Sequence, residues 1–204
     1  MTRIILVRHG QTEWNRAERF RGRADLPLNG VGLAQAEATA RRIAAAWPAS
    51  AVYSSPLKRA METAKIIAEV LDLAVQPLAG LMDIDYGEWQ GLSPDEVAER
   101  YGDLYARWLE EPHLVRIPRG ESLGEVRERA MAALEGVIAR HSGQTVVLVS
   151  HQVVNKVLLC AVLGLDDSHF WHIGQENGAI NVFEHCGRGF VISLLNDTCH
   201  LRES

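Results

Sequence analysis

The residues Arg8-His9-Gly10 close a run of four apolar residues, Ile4-Ile5-Leu6-Val7. Such a run reads as a fully buried strand. A cation and an imidazole at its exit are costly unless they face a cleft. In open α/β sheets, clefts lie beyond the carboxyl ends of the strands. Gly10 permits a sharp turn and a close backbone approach. Thr12 and Asn15 add further polar groups. The stretch supplies a nucleophile or base (His9), a fixed fork of donors (Arg8) and free backbone N–H groups, a set that suits an oxyanion such as phosphate. An isolated Arg-His-Gly is more often a histidine capping a strand, with its arginine in a surface ion pair. A second stretch reverses that weighing. Thr145-Val146-Val147-Leu148-Val149 is the strongest buried strand in the chain and runs into Ser150-His151-Gln152, followed by a helix. Two parallel strands that end in histidine bring His9 and His151 together at one sheet edge.

Other elements must position these groups. Arg16 to Asn29 is a polar loop with Gly22, Pro27 and four arginines (Arg16, Arg19, Arg21, Arg23), read either as solvated surface or as recognition of an anion. Helical spacing begins at Leu33 and runs through Ala36, Ala40, Ile43 and Trp47, where Pro48 ends it. Ala51 to Ser54 is a short strand. Ser55-Pro56 then reads as an N-cap followed by proline at the first helical position. That places Arg59 in the first turn of a helix, at the positive end of its dipole. Pattern alone does not separate this from a surface arginine. Asp83 and Asp85 bracket Ile84, so an extended segment puts both on one side. They are either solvated loop acids or a proton donor. Ser93 with Glu96, and Ser122 with Glu125, are capping boxes that open two further helices. The first carries Val97, Tyr101, Leu104, Tyr105 and Trp108 and reads as a cover. Arg116 and Arg119 after it face either the pocket or solvent. The tail reads as a loop plus two strands around Gly187-Arg188-Gly189. Its His169, His172, His185-Cys186 and Cys199-His200 lack C-x-x-C spacing, so no metal site is expected.

The 204 residues are 47% hydrophobic and 23% charged, which fits one domain with a sizeable core. A net charge of −5 and the lack of a long Lys/Arg run speak against nucleic acid or an anionic membrane as partner. No apolar segment reaches bilayer-spanning length, and the chain enters a strand at once without a signal-peptide pattern. Cys160, Cys186 and Cys199 cannot all pair with one another. A cytoplasmic location is therefore expected.

Leu6-Val7-Arg8-His9-Gly10-Gln11-Thr12-Glu13-Trp14-Asn15 resembles the signature of the histidine phosphatase superfamily, in its phosphoglycerate-mutase-like branch. Three later motifs follow in the family's order: Ser54 to Ala64, Leu81 to Gly91, and Ser150-His151. The likeness runs to about Phe183. It implies an α/β three-layer sandwich, a mostly parallel sheet with helices on both faces. It also implies a single domain over residues 1–204 with a helical cover at about 92–118. Relatives use the arginine at the place of Arg59 to bind the phosphoryl group. The loop Arg19-Phe20-Arg21-Gly22 contributes to the phosphate pocket; Gly22 matches, and Arg21 stands where relatives often carry an uncharged residue. Asp83 takes the place of the general acid/base, usually glutamate, with Asp85 and Glu88 as fallbacks. Gln152-Val153 departs from the two glycines that often follow the second histidine. A similar His-Gln occurs in fructose-2,6-bisphosphatases.

The implied catalytic set is His9, Asp83, His151, Arg8 and Arg59. The implied phosphate-binding set is Arg8, Asn15, Gly22, Arg59 and His151. In the implied reaction neutral His9 attacks phosphorus in line and becomes a phosphohistidine. Arg8, Arg59 and His151 hold the non-bridging oxygens. Asp83 protonates the leaving alkoxide and then deprotonates the attacking water. No metal and no cofactor are required. The expected partner is a small phosphorylated metabolite, such as a sugar phosphate, a phosphoglycerate derivative, α-ribazole phosphate or phosphoserine. A homodimer is left open. The main reading is a phosphomonoesterase. A cofactor-dependent phosphoglycerate mutase is the alternative, and a non-catalytic phospho-ligand-binding member is a third reading.

Overall fold

The computed structural model describes residues 1–202; the expected domain span ends on residues 203 and 204, outside the described residues. Among these, six strands form one sheet: β1 (Thr2–Arg8), β2 (Ala51–Ser54), β3 (Val75–Pro77), β4 (Thr145–Ser150), β5 (Ile180–His185) and β6 (Phe190–Asp197). Their order is β3-β2-β4-β1-β5-β6. The first four run parallel, β5 is antiparallel to β1, and β6 is antiparallel to β5. The short, half-exposed β3 was not expected from sequence; its three residues carry no hydrophobic run.

Side chains alternate across the sheet and create two cores. Ile4, Leu6, Tyr53, Val146 and Leu148 face α4 (Pro94–Glu110), α5 (Leu123–Arg140) and α6 (Gln152–Val162). Ile5, Val7, Val52, Val147 and Val149 face α2 (Gly30–Ala46) and α3 (Lys58–Leu71). Both faces of β1 and β4 are covered, which is why their sequences are continuous apolar runs. The expected three-layer arrangement follows from this.

The helix starts bear out two expectations and correct a third. Ser93 and Ser122 cap α4 and α5, with Glu96 and Glu125 completing the boxes. Asn29 caps α2, which begins at Gly30, three residues ahead of Leu33. α3, however, begins at Lys58 and not at Pro56, and its N-cap Leu57 offers no side-chain hydrogen bond. The Ser55 hydroxyl instead accepts from the Leu57 N–H at 3.3 Å and meets His151. A four-residue helix α1 (Glu13–Arg16) follows the first motif, closed by a capping box between Thr12 and Asn15.

Candidate active site

Strands β1 and β4 are parallel neighbours, with Arg8 paired to Ser150 in the register. Each chain therefore leaves the sheet at the same level. The His9 N–H donates to the Ser150 carbonyl at 3.0 Å, and the His9 and His151 ring centroids are 5.1 Å apart. The layout read from two separate motifs thus becomes one contact at the sheet's carboxyl edge.

The His9 ring has fixed roles. Its Nδ1 lies 2.6 Å from the Gly10 carbonyl oxygen, which can only accept. Its Nε2 receives the Nε–H of Arg59 at 3.3 Å, which can only donate. The proton is on Nδ1 and the lone pair is on Nε2. Burial, then the charges of Arg59 and Arg8, hold the His9 pKa well below the ordinary histidine value. Gly10 itself cannot carry a Cβ, since one would stand 2.3 Å from the Gly32 carbonyl oxygen.

Arg59 is fully buried and spends every nitrogen. Nη1 donates to the Ala24 carbonyl at 2.7 Å, and Nη2 to the Gly22 carbonyl at 2.7 Å and to Asp83 Oδ2 at 3.0 Å. Gly22 thus holds Arg59 from its backbone, in a positive-φ turn (φ +49). Asp83 Oδ2 also lies 3.7 Å from His151 Nδ1. The Asp83 backbone is clamped from α5: Arg129 donates to the carbonyls of Gly80 (2.9 Å), Met82 (2.7 Å) and Asp83 (3.1 Å). The fallback acids are engaged elsewhere. Asp85 accepts from the Gly87 N–H and faces Arg23, and Glu88 accepts from Tyr101 and faces Arg119.

His151 Nε2 is 2.7 Å from the Ser55 hydroxyl oxygen, while its buried Nδ1 has no hydrogen-bond partner among the described residues. Burial, then Arg59, keep its pKa well below the ordinary value, so it too is neutral. Arg8 donates through Nη1 to the Gln175 carbonyl, and its buried Nε is unpartnered among the described residues. Burial and the neighbouring Arg21 lower the Arg8 pKa to about 9, a strain that an anion would relieve.

A cavity of about 580 Å³ opens beside this cluster and meets it at Arg8, while His9, Arg59, Asp83 and His151 lie beneath its walls; Asn15, Arg21, Tyr86 and Gln152 also line it. Pro94, Tyr105, Trp108 and Leu109 of α4 line it as well, so the helix expected to cover the site borders it. Of the four loop arginines, Arg16 pairs with Glu13, Arg19 with Glu96, and Arg23 with Asp85 and Glu121. Arg21 is the one that keeps a buried, unpartnered Nε among the described residues, beside Gln152. Arg116 and Arg119 pair with Glu125 and Glu88 at the surface and do not line the cavity. Asn15 lines the cavity, but its Oδ1 accepts from the Thr12 N–H and hydroxyl.

Three contributors escaped the sequence reading. Ser55 looked like a helix cap, Arg129 sat in an ordinary helical pattern, and Asn177, whose Nδ2 donates to the His9 carbonyl at 3.1 Å, sat in a loop. Each acts across a long sequence separation that no local pattern encodes.

Comparison with known proteins identifies the family. The histidine phosphatase superfamily (branch 1) matches residues 4–198. Phosphoserine phosphatase 1 of Hydrogenobacter thermophilus is 43% identical over 203 residues, covering 100% of this chain and 96% of that protein. The solved structure of Bacillus stearothermophilus YhfR superposes with a TM-score of 0.94 at 31% identity, covering 98% of this chain and 100% of the other. A phosphoserine phosphatase mutant from Entamoeba histolytica, solved in complex with phosphoserine, gives 0.88 at 30% identity, again covering 98% and 100%. A match across nearly the whole chain, on the motifs that form one buried cluster here, places this protein in the histidine phosphatase superfamily, branch 1.

Proposed function

We propose that the protein is a metal-independent phosphomonoesterase that hydrolyses a small phosphorylated metabolite through phosphorylated His9. The carrying observation is the His9 ring: neutral, with its Nε2 lone pair aimed into a cluster that holds two cations and a carboxyl group. Nε2 attacks phosphorus and the P–O bond to the leaving group breaks. The departing alkoxide takes a proton from the Asp83 carboxyl group. Water then attacks the phosphorus, gives its proton to the Asp83 carboxylate, and the N–P bond breaks to release phosphate. Acid–base help of this kind is worth about 10²–10⁴-fold. Arg8, Arg59 and neutral His151 meet the non-bridging oxygens, where preorganised donors stabilise charge that develops in the transition state. Arg21 adds a further donor at the cavity wall, and α4 acts as the cover. Phosphoserine is the first substrate to try, because relatives named for its hydrolysis match the full chain. Among the described residues no helix is long and apolar enough to cross a membrane.

The test is ³¹P NMR of the purified protein with phosphoserine, and separately with 3-phosphoglycerate plus a trace of 2,3-bisphosphoglycerate, both in EDTA. Growth of inorganic phosphate is expected. Growth of 2-phosphoglycerate without phosphate would make the protein a mutase and overturn the proposal.

A further inference from the structure

Lys156 is a cation with no stated use. It lies on α6, one turn beyond Gln152, and residues four apart share a helix face. Only 5% of it is exposed. Its Nζ sits 4.7 Å from the Phe170 ring centroid and 4.6 Å from that of Trp171. Among the described residues Nζ makes no hydrogen bond and no ion pair. Burial, with Arg8 nearby, pushes the Lys156 pKa down to about 8, while Glu176 acts in the opposite sense. Aromatic faces recover part of the cost of burying an ammonium, but methionine would fill the same space at no such cost. Trp171, Arg8, Gln152 and Glu176 around it all line the active-site cavity. Trp171 is fixed there by its Nε1–H, which donates to the Trp108 carbonyl at 3.0 Å.

Glu176 is an opposite charge on the cavity wall itself, whereas Lys156 stands behind that wall, over Trp171. It forms no ion pair among the described residues, with Lys156 or with any other group. Its position is nevertheless fixed. Its own N–H donates to Asn196 Oδ1 at 2.8 Å. The preceding Gln175 carbonyl accepts from Arg8, and the following Asn177 side chain donates to the His9 carbonyl. Glu176 is therefore held between two contacts to the residues beneath the phosphoryl site. A buried, unpaired cation behind the cavity wall and an unpaired acid on that wall complement a ligand that carries both charges.

We propose that Lys156 and Glu176 read the zwitterionic head of a phosphorylated α-amino acid, Lys156 taking the carboxylate and Glu176 the ammonium. This rests on the phosphatase reading above and makes the two residues determinants of its specificity. The test compares kcat and KM, in EDTA, for phosphoserine, phosphoethanolamine (no carboxylate), 3-phosphoglycerate (no ammonium) and p-nitrophenyl phosphate. In Lys156→Met the ratio of kcat/KM for phosphoserine over phosphoethanolamine is expected to fall about 10–100-fold, mainly through KM, as for a lost charge-assisted hydrogen bond. In Glu176→Gln the ratio for phosphoserine over 3-phosphoglycerate is expected to fall about tenfold. Lys156→Arg keeps the charge and is expected to retain most of the first ratio; it also serves if the methionine variant misfolds. Ratios that stay unmoved in folded variants overturn the inference. So does a wild-type protein that prefers phosphoethanolamine to phosphoserine, and both outcomes leave the phosphatase reading standing. Failure to release phosphate from any substrate, p-nitrophenyl phosphate included, overturns that reading and this inference with it.

Discussion

The Nε–H of Arg59 points at Nε2 of His9 across 3.3 Å, and Nη2 of the same guanidinium holds Asp83 at 3.0 Å. One rigid side chain therefore meets both the proposed nucleophile and the proposed acid. Its other contacts, to the Gly22 and Ala24 carbonyls, tie the polar loop of residues 16–29 to the same point. An oxygen of a phosphoryl group bonded to Nε2 would fall within reach of this Nε.

Lysine cannot reproduce that fork. Arg59→Lys is expected to lower kcat/KM by about 10²–10³-fold, the usual cost of one transition-state donor. It also leaves the buried Asp83 without its bonded partner, so the melting temperature should drop too. Steady-state kinetics and a thermal melt check both. Activity within a factor of about three would show that charge alone suffices at this place.

His9→Ala removes the proposed nucleophile and should cost at least about 10³-fold in kcat. In the wild type, an alkaline quench during turnover should leave one phosphoryl group on the chain, located at His9 by peptide mass spectrometry. Full activity in the alanine variant would end the phosphohistidine proposal.

The reach of the sequence is clearest at these residues. Arg8-His9 and Ser150-His151 were legible because each closes an uninterrupted apolar strand, and adjacent parallel strands must end side by side. The capping boxes at Ser93 and Ser122 were legible because their partners lie three residues away. Ser55 was misread for the complementary reason: its local pattern fits a helix cap, yet its hydroxyl serves His151, 96 positions along the chain. The tautomer of His9 was hidden as well. It depends on the carbonyl direction of Gly10, which no side-chain pattern records.

Asp83 is one methylene shorter than the glutamate expected in its place. Its backbone is gripped by Arg129, and its carboxylate touches Arg59 directly. Asp83→Asn should lower kcat on phosphoserine by about 10²–10⁴-fold. With p-nitrophenyl phosphate the leaving group needs no proton, so the first step survives and the second, which needs a base, slows. Stopped-flow absorbance should then show a burst of nitrophenolate followed by slow turnover. Loss of the burst together with the steady state would argue against Asp83 as the acid.

His9 and His151 are buried and neutral in the fold, with pKa values held well below the ordinary one. In the unfolded chain each takes up a proton near pH 6.5. Between that pH and the lower folded values, the unfolded state binds more protons, so the free energy of unfolding rises with pH. Stability is therefore complete above about pH 6.5 and is lost as the pH falls, at a limiting slope of about 1.4 kcal/mol per pH unit for each histidine. His151→Gln removes one of the two. Urea unfolding at pH 7 and pH 5 should show the wild type losing about 1–2 kcal/mol more than the variant over that span. Equal losses would mean that folded His151 accepts a proton freely. A protonated His151 would then sit beside Asp83, and its role as a neutral ligand for the phosphoryl oxygens would have to be given up.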